Sequence, residues 1–185
     1  PKKHNHIIIE FDKIKLIYND PRRFGYFKIL KNKYEFNNYF TRIGPEALDK
    51  SFNLTYLKNK IKNKKKNIKN FLLDQKIVSG IGNIYANEIL YKSQISPMKS
   101  VRKLSSVELL RIIKFSKITL KSAIKFGGSS IKDFKGVSGG GGNFQTKFKV
   151  YNRENQKCTK IKCKGIIRKK YISNRSTFIC NFCQT

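Results

Sequence analysis

Gly80-Ile81-Gly82-Asn83-Ile84-Tyr85-Ala86-Asn87-Glu88-Ile89-Leu90 is the stretch whose reading decides the fold. Its glycines allow a sharp turn and a close approach to the backbone. The residues after them predict a short helix over 84–90 that ends before Pro97. The free amides at that helix start can hold an anionic group such as phosphate. The plainer reading is a connector between two helical segments. Lys64, Lys65, Lys66 and Lys69 lie just upstream and favour the anion.

Outward from this turn, helical periodicity covers about 45–126. Gly44-Pro45-Glu46 places a proline in a first helical turn. Leu54, Leu57, Ile61, Ile68 and Leu72 follow at helix spacing, and the basic run 58–69 between them reads as a solvated helix face. Ser105-Ser106-Val107-Glu108 is a capping box, with Leu104 and Leu109 placed as a hydrophobic staple. That helix is expected to run to about Phe126, where Gly127 stops it. Residues 127–147 read as a loop centred on Ser138-Gly139-Gly140-Gly141-Gly142-Asn143. A loop of that length is usually functional or disordered.

Before the helices, His6-Ile7-Ile8-Ile9-Glu10-Phe11, Lys15-Leu16-Ile17-Tyr18 and Phe24-Gly25-Tyr26-Phe27-Lys28-Ile29-Leu30 read as short strands. Three strands without a covering layer are too little sheet to stand alone, so an upstream part is expected to be missing. After the helices come the four cysteines, Cys158, Cys163, Cys180 and Cys183, spaced Cys-x4-Cys-x16-Cys-x2-Cys. Each close pair can offer two thiolates from a tight turn, and the spacer suits a β-hairpin that brings the pairs together. Four thiolates make a closed structural zinc site. Disulfides or inert buried thiols are the plainer alternatives. Lys160, Lys162, Lys164, Arg168, Lys169, Lys170 and Arg175 surround this segment, which holds few large apolar side chains and needs such a staple.

Composition narrows the function. The 185 residues hold 41 Lys+Arg against 11 Asp+Glu, a formal charge of +30. That excess calls for a polyanionic partner, nucleic acid first and an anionic membrane surface second. The 12% aromatic content, with 14 Phe, argues against a disordered basic tail. No apolar run reaches the roughly 18 residues of a membrane span. The start, Pro1-Lys2-Lys3-His4, leads into no long apolar core, so no leader is expected.

Asp20-Pro21-Arg22-Arg23-Phe24-Gly25 is a turn carrying two guanidinium groups and an aromatic. It reads equally as a β-turn with surface arginines and a core Phe, or as a wedge that enters a base stack while Arg bonds an orphaned base. His4 and His6 alternate and can share one strand face; no third ligand is near in sequence, so a phosphate-contacting or structural histidine fits better than a metal site.

Lys3-His4-Asn5-His6, Asp20-Pro21-Arg22-Arg23-Phe24-Gly25, Leu72-Leu73-Asp74-Gln75, the Gly80–Glu88 stretch, Lys132-Asp133-Phe134, Arg175-Ser176-Thr177-Phe178 and the four cysteines occur in that order. Together they closely resemble bacterial formamidopyrimidine-DNA glycosylase, also called 8-oxoguanine-DNA glycosylase, over essentially the whole chain. The resemblance implies an α+β fold. Residues 1–40 would be a remnant of an N-terminal β-sandwich. Residues 41–147 would be a helical helix–two-turns–helix domain with a loop that covers the lesion. Residues 148–185 would be a β-hairpin zinc finger holding one structural Zn2+.

The activity implied is base-excision repair of oxidised purines, followed by abasic-site lyase cleavage through β- and δ-elimination. The implied partner is damaged double-stranded DNA, bound by a cytoplasmic, nucleoid-associated monomer with no membrane contact. Arg22 resembles the arginine that meets the base opposite the lesion, and Phe24 the aromatic wedge. His4, Lys64, Lys69 and Asn83 resemble phosphate contacts. Lys132 and 136–145 resemble the lesion-covering loop. Arg175 resembles the finger arginine that grips phosphate and donates a proton in δ-elimination. The family's nucleophile is an N-terminal proline followed by glutamate. Here Pro1 is followed by Lys2, so the start is expected to be an internal stretch of a fragment without that catalytic segment. The alternatives are a catalytically inactive damaged-DNA-binding module and an endonuclease VIII-type glycosylase of oxidised pyrimidines. The wedge motif and the glycine-rich loop favour the purine enzyme.

Overall fold

The computed structural model describes residues 3–129 and 141–185. The chain divides into two units, Pro1–Thr41 and Arg42–Thr185. Pro1, Lys2, Lys132 and residues 136–140 of the glycine-rich stretch lie outside the described residues.

In the first unit, β1 (Asn5–Glu10) and β2 (Lys15–Asn19) pair antiparallel, with Ile8 opposite Ile17 and Ile9 opposite Leu16. Neighbouring residues on a strand face opposite sides. Ile7, Ile8 and Ile9 are all exposed, so within this unit the ribbon has no closed face. The strand expected over 24–30 does not form. A strand exists only through a neighbour's hydrogen bonds, and among the described residues this segment has no ladder partner. Its Phe27 ring instead meets the edge of Tyr18, 5.0 Å between centroids. Helix α1 (Lys33–Phe40) follows; the Asn32 side chain caps it by accepting from the Glu35 amide, and the Glu35 carboxylate accepts from the Lys31 amide.

In the second unit, Pro45 does not open a helix: Glu46 bridges to Ser79, turns follow, and α2 (Leu54–Ile61) starts where the Asn53 side chain accepts the Tyr56 amide. The helical run then breaks. Asn63 turns left-handed at φ 60°, and Asn67 caps a new short helix, α3 (Ile68–Leu73). The basic run 58–69 is therefore not one solvated helix face. Lys58 and Lys60 ride on α2, Lys62 to Lys66 form a loop, and Lys69 is buried.

Helix α4 (Asn83–Ser93) follows the double-glycine turn, and α5 (Ser106–Lys125) opens on the capping box, with both reciprocal bonds formed. Leu104 and Leu109 are buried in one core with Phe52, Leu57, Phe71, Leu72, Ile89 and Leu90. Each such side chain contributes about 1.5–3 kcal/mol by leaving water. Gln75 ties the turn together: its Oε1 accepts the Gly80 amide and its Nε2 donates to the Ile81 carbonyl. Gly80 sits at φ 84°, a conformation that a side chain would strain.

The C-terminal hairpin pairs β3 (Ile167–Ile172) with β4 (Arg175–Cys180), from Ile167 opposite Cys180 to Ile172 opposite Arg175. Ser173 and Asn174 both take positive φ, the two-residue turn that matches strand twist. A second apolar cluster, Tyr91, Val150, Ile167 and Phe178, joins this hairpin to α4. No helix among the described residues is long and apolar enough to cross a membrane.

Candidate nucleic-acid interface and metal centre

The amino end of α4 is where the charged and polar groups of this unit converge. Gly82 is its N-cap and supplies no side-chain hydrogen bond to the first amides. A Cβ added at Gly82 would meet nothing within 4 Å, so the space beside that position is open. Asn83 Nδ2 donates to the Ser176 carbonyl at 3.1 Å, and Lys69 Nζ donates to the same oxygen at 2.9 Å and to Thr177 Oγ1 at 2.7 Å. The peptide that accepts both follows Arg175, whose side chain is exposed. Lys69, Asn83 and Arg175, far apart in sequence, are thus brought to one place. Burial lowers the Lys69 pKa to about 8, and the nearby Arg175 charge pushes in the same direction. Two cations that feel each other's charge, with no carboxylate bonded to either among the described residues, favour an anion beside them.

The hairpin is fixed on both flanks of Arg175. Asn70 Nδ2 donates to Ser173 Oγ at the tip (2.8 Å), while Asn87 Oδ1 accepts the Phe178 amide (2.7 Å). Glu88, fully buried, accepts the amides of Lys149, Val150 and Tyr151 at 2.9–3.0 Å, which anchors the strap leading into the finger. Gln184 links the far end, accepting from the Cys180 amide and donating to the Ile95 carbonyl. Sequence reasoning missed Asn87, Glu88, Asn70 and Gln184. The one signal present was the spacing of Asn83 and Asn87, one turn apart on a helix face.

The four cysteines meet. Their sulfurs all lie within 4.8 Å of one another, with Cys163–Cys180 at 3.6 Å and Cys158–Cys183 at 3.9 Å, and none is in a disulfide. Thiolates at about 2.3 Å from a tetrahedral zinc ion stand roughly 3.8 Å apart. The donor set therefore fits such an ion. Burial opposes ionisation of Cys158, but hydrogen bonds from Tyr91, the Lys160 amide, Cys163 and Cys180 outweigh it and bring that thiol down to about 7.

The turn of the first unit is organised by one carboxylate. Asp20 Oδ1 accepts the amides of Arg22 and Arg23, each at 3.0 Å, and Oδ2 accepts the Gly25 amide at 2.7 Å and the Tyr18 hydroxyl at 3.0 Å. The Gly25 amide, first, and then these other donors hold the carboxyl below its ordinary range. A Cβ at Gly25 would collide with the Tyr18 hydroxyl. The turn presents Phe24 76% exposed, with the Arg22 guanidinium 4.7 Å from its ring centroid. Phe24 is therefore no core residue of this unit. His4 lies in the turn before β1 at φ 77°, not on a strand face beside His6, whose Nε2 is 2.9 Å from the Asp20 carbonyl. Lys64 is exposed in the loop after α2.

Residues 43–135 match the formamidopyrimidine-DNA glycosylase H2TH domain. The formamidopyrimidine-DNA glycosylase of Idiomarina loihiensis is 39% identical over 183 residues, which is 98% of this chain and 67% of that protein. The chain belongs to the formamidopyrimidine-DNA glycosylase family. The glycosylase of Wolbachia pipientis wMel is 43% identical over 98% of this chain and 66% of its own length. The chain thus spans about two thirds of these relatives. Two solved glycosylases agree over all of this chain at 32% identity. They are the MutM (Fpg) protein of Thermus thermophilus, with TM-score 0.88 over 70% of its length, and the Lactococcus lactis Fpg in complex with DNA containing an abasic site, with TM-score 0.89 over 68%. The α+β architecture of helices and small antiparallel hairpins is that of this glycosylase family.

Proposed function

We propose that the chain is the DNA-gripping part of a base-excision glycosylase that removes oxidised purines and cleaves the abasic site by β,δ-elimination. The observation that carries this reading is the anion seat at the start of α4. There Lys69 and Asn83 converge on the peptide beside Arg175, with no carboxylate among the described residues bonded to either cation. A flanking phosphate of the lesion would occupy it. Arg175 grips that phosphate and donates the proton of the δ-elimination, Asn83 and the open amides of α4 bind its oxygens, and Lys69 adds charge from beneath the Ser176 carbonyl. His4 and Lys64 take further phosphates.

Extruding a nucleotide costs a few kcal/mol, least at a damaged pair. The phosphate contacts offset that cost, and Phe24 wedges into the gap while Arg22 meets the base left opposite. Lys132 belongs to the loop that covers the extruded base. The sulfurs of Cys158, Cys163, Cys180 and Cys183 hold one structural Zn2+, which sets the turns of the finger and takes no part in the chemistry.

The 185 residues contain no Pro-Glu-Leu-Pro-Glu sequence, so they are expected to supply the grip without the Schiff-base amine. Borohydride trapping of this chain on duplex DNA with an abasic site tests the division. The expected result is tight, salt-sensitive binding with no covalent adduct. An adduct would place a reactive amine within these residues and overturn it; absence of binding would overturn the grip itself.

A further inference from the structure

Asn83, Asn87 and Tyr91 are spaced four residues apart and stack along one face of α4. Each meets the C-terminal segment. Asn83 Nδ2 donates to the Ser176 carbonyl and Asn87 Oδ1 accepts the Phe178 amide, so the first two hold alternate residues of β4. The third reaches the cysteine cluster: Tyr91 Oη lies 3.1 Å from Cys158 Sγ and 3.2 Å from Thr159 Oγ1. A phenol has one proton to give, and a metal-bound thiolate has none. Around a metal ion this contact can run in one direction only, with Tyr91 donating to sulfur. The Thr159 hydroxyl can then donate to the phenol oxygen and fix its rotation. Tyr91 is only 7% exposed and packs with Val150, Ile167 and Phe178, so water does not compete for the bond.

We propose that Tyr91 is an outer-sphere positioning residue of the metal centre, donating a hydrogen bond to the Cys158 thiolate. The proposal rests on the four-thiolate reading. It makes one helix carry the anion seat at its first residue and a hydrogen-bond donor to a metal ligand two turns later. Metal binding then holds the finger on the same row of side chains that positions the peptide beside Arg175. Groups of this kind fix ligand orientation and tune metal affinity. They also withdraw electron density from sulfur, which raises the energy of sulfur-to-metal charge transfer.

The test uses the full chain loaded with Co2+. In Tyr91→Phe the sulfur-to-cobalt absorption band moves to lower energy, and chelator competition shows about tenfold weaker Co2+ and Zn2+ binding. Thr159→Val keeps the phenol and gives a smaller shift in the same direction, which carries the test if Tyr91→Phe fails to fold by circular dichroism. A folded Tyr91→Phe with unchanged band and affinity overturns the role of Tyr91. So does an unfolded Tyr91→Phe together with an unchanged Thr159→Val. A wild-type chain that shows no thiolate band overturns the four-thiolate reading beneath it.

Discussion

Among the described residues two antiparallel hairpins of similar length are found, and their surroundings differ completely. In β3–β4, Thr177, Phe178, Ile179 and Cys180 are buried, one end meets the cysteine cluster, and side chains of α3 and α4 bond its backbone. In β1–β2 nearly every residue is exposed, including Ile7, Ile8, Ile9, Leu16 and Ile17. Both ladders are antiparallel, and the one in β1–β2 is interrupted only by a register shift between Asn5 and Ile7, so pairing alone does not make the difference. Two strands alone are marginal in water. A hairpin becomes a rigid platform for an exposed cation such as Arg175 only when other elements close its faces and its end. The turn at Asp20 follows a different rule: its shape comes from four hydrogen bonds to one carboxylate and needs no core.

The largest effect is expected at the cysteine cluster that ends the closed hairpin, where a structural metal is proposed. Cys180→Ala leaves three sulfurs, and folding free energy of structural zinc sites is mostly binding free energy, roughly 10–16 kcal/mol in finger peptides. Metal content by atomic emission should fall from one equivalent to near zero, with loss of the hairpin amide resonances. Retained metal and resonances would remove the distinction between the hairpins. Next come the cores. Ile89→Ala, at a fully buried position, should cost about 2–5 kcal/mol in urea unfolding. Ile8→Ala, 43% exposed, should cost under about 0.5 kcal/mol. Equal losses would mean the ribbon has a closed face after all.

Phe24→Ala should leave stability unchanged, because the ring is exposed, while weakening lesion-bearing duplex more than plain duplex, by about 1–3 kcal/mol if the ring stacks on a base. Equal weakening on both duplexes would deny it a wedge role. A pH dependence is also expected. The Lys69 pKa of about 8 lies below its ordinary 10.5. Between those values the unfolded chain keeps a proton that the folded chain has lost, so stability rises with pH across that window. DNA affinity should fall over the same window as the charge leaves, and Lys69→Met should flatten both curves.

Local signals in the sequence were legible and long-range ones were not. The capping box at Ser105 and Glu108 is read from four adjacent residues, and the cysteine spacing encodes its own hairpin. The break after Ile61 was hidden because Lys62 to Lys66 carry no apolar phase, although Asn67 is a capping residue. The strand over 24–30 read well by composition but lacks a partner among the described residues, and pairing is not a property of a segment. Glu88 looked like an ordinary helical carboxylate because its partners are 61–63 residues away. Lys69 was singled out as a phosphate contact by resemblance, but its burial was not legible, because its acceptors lie over a hundred residues on.

The most direct test of the anion seat is the salt dependence of DNA binding in the wild-type chain and in Arg175→Ala. Each phosphate neutralised adds about 0.9 to the slope of log affinity against log salt on duplex DNA. The expected result is a steep slope in the wild type and one shallower by about 0.9 in Arg175→Ala, with weaker binding on every sequence. An unchanged slope in Arg175→Ala would contradict a phosphate contact at the start of α4.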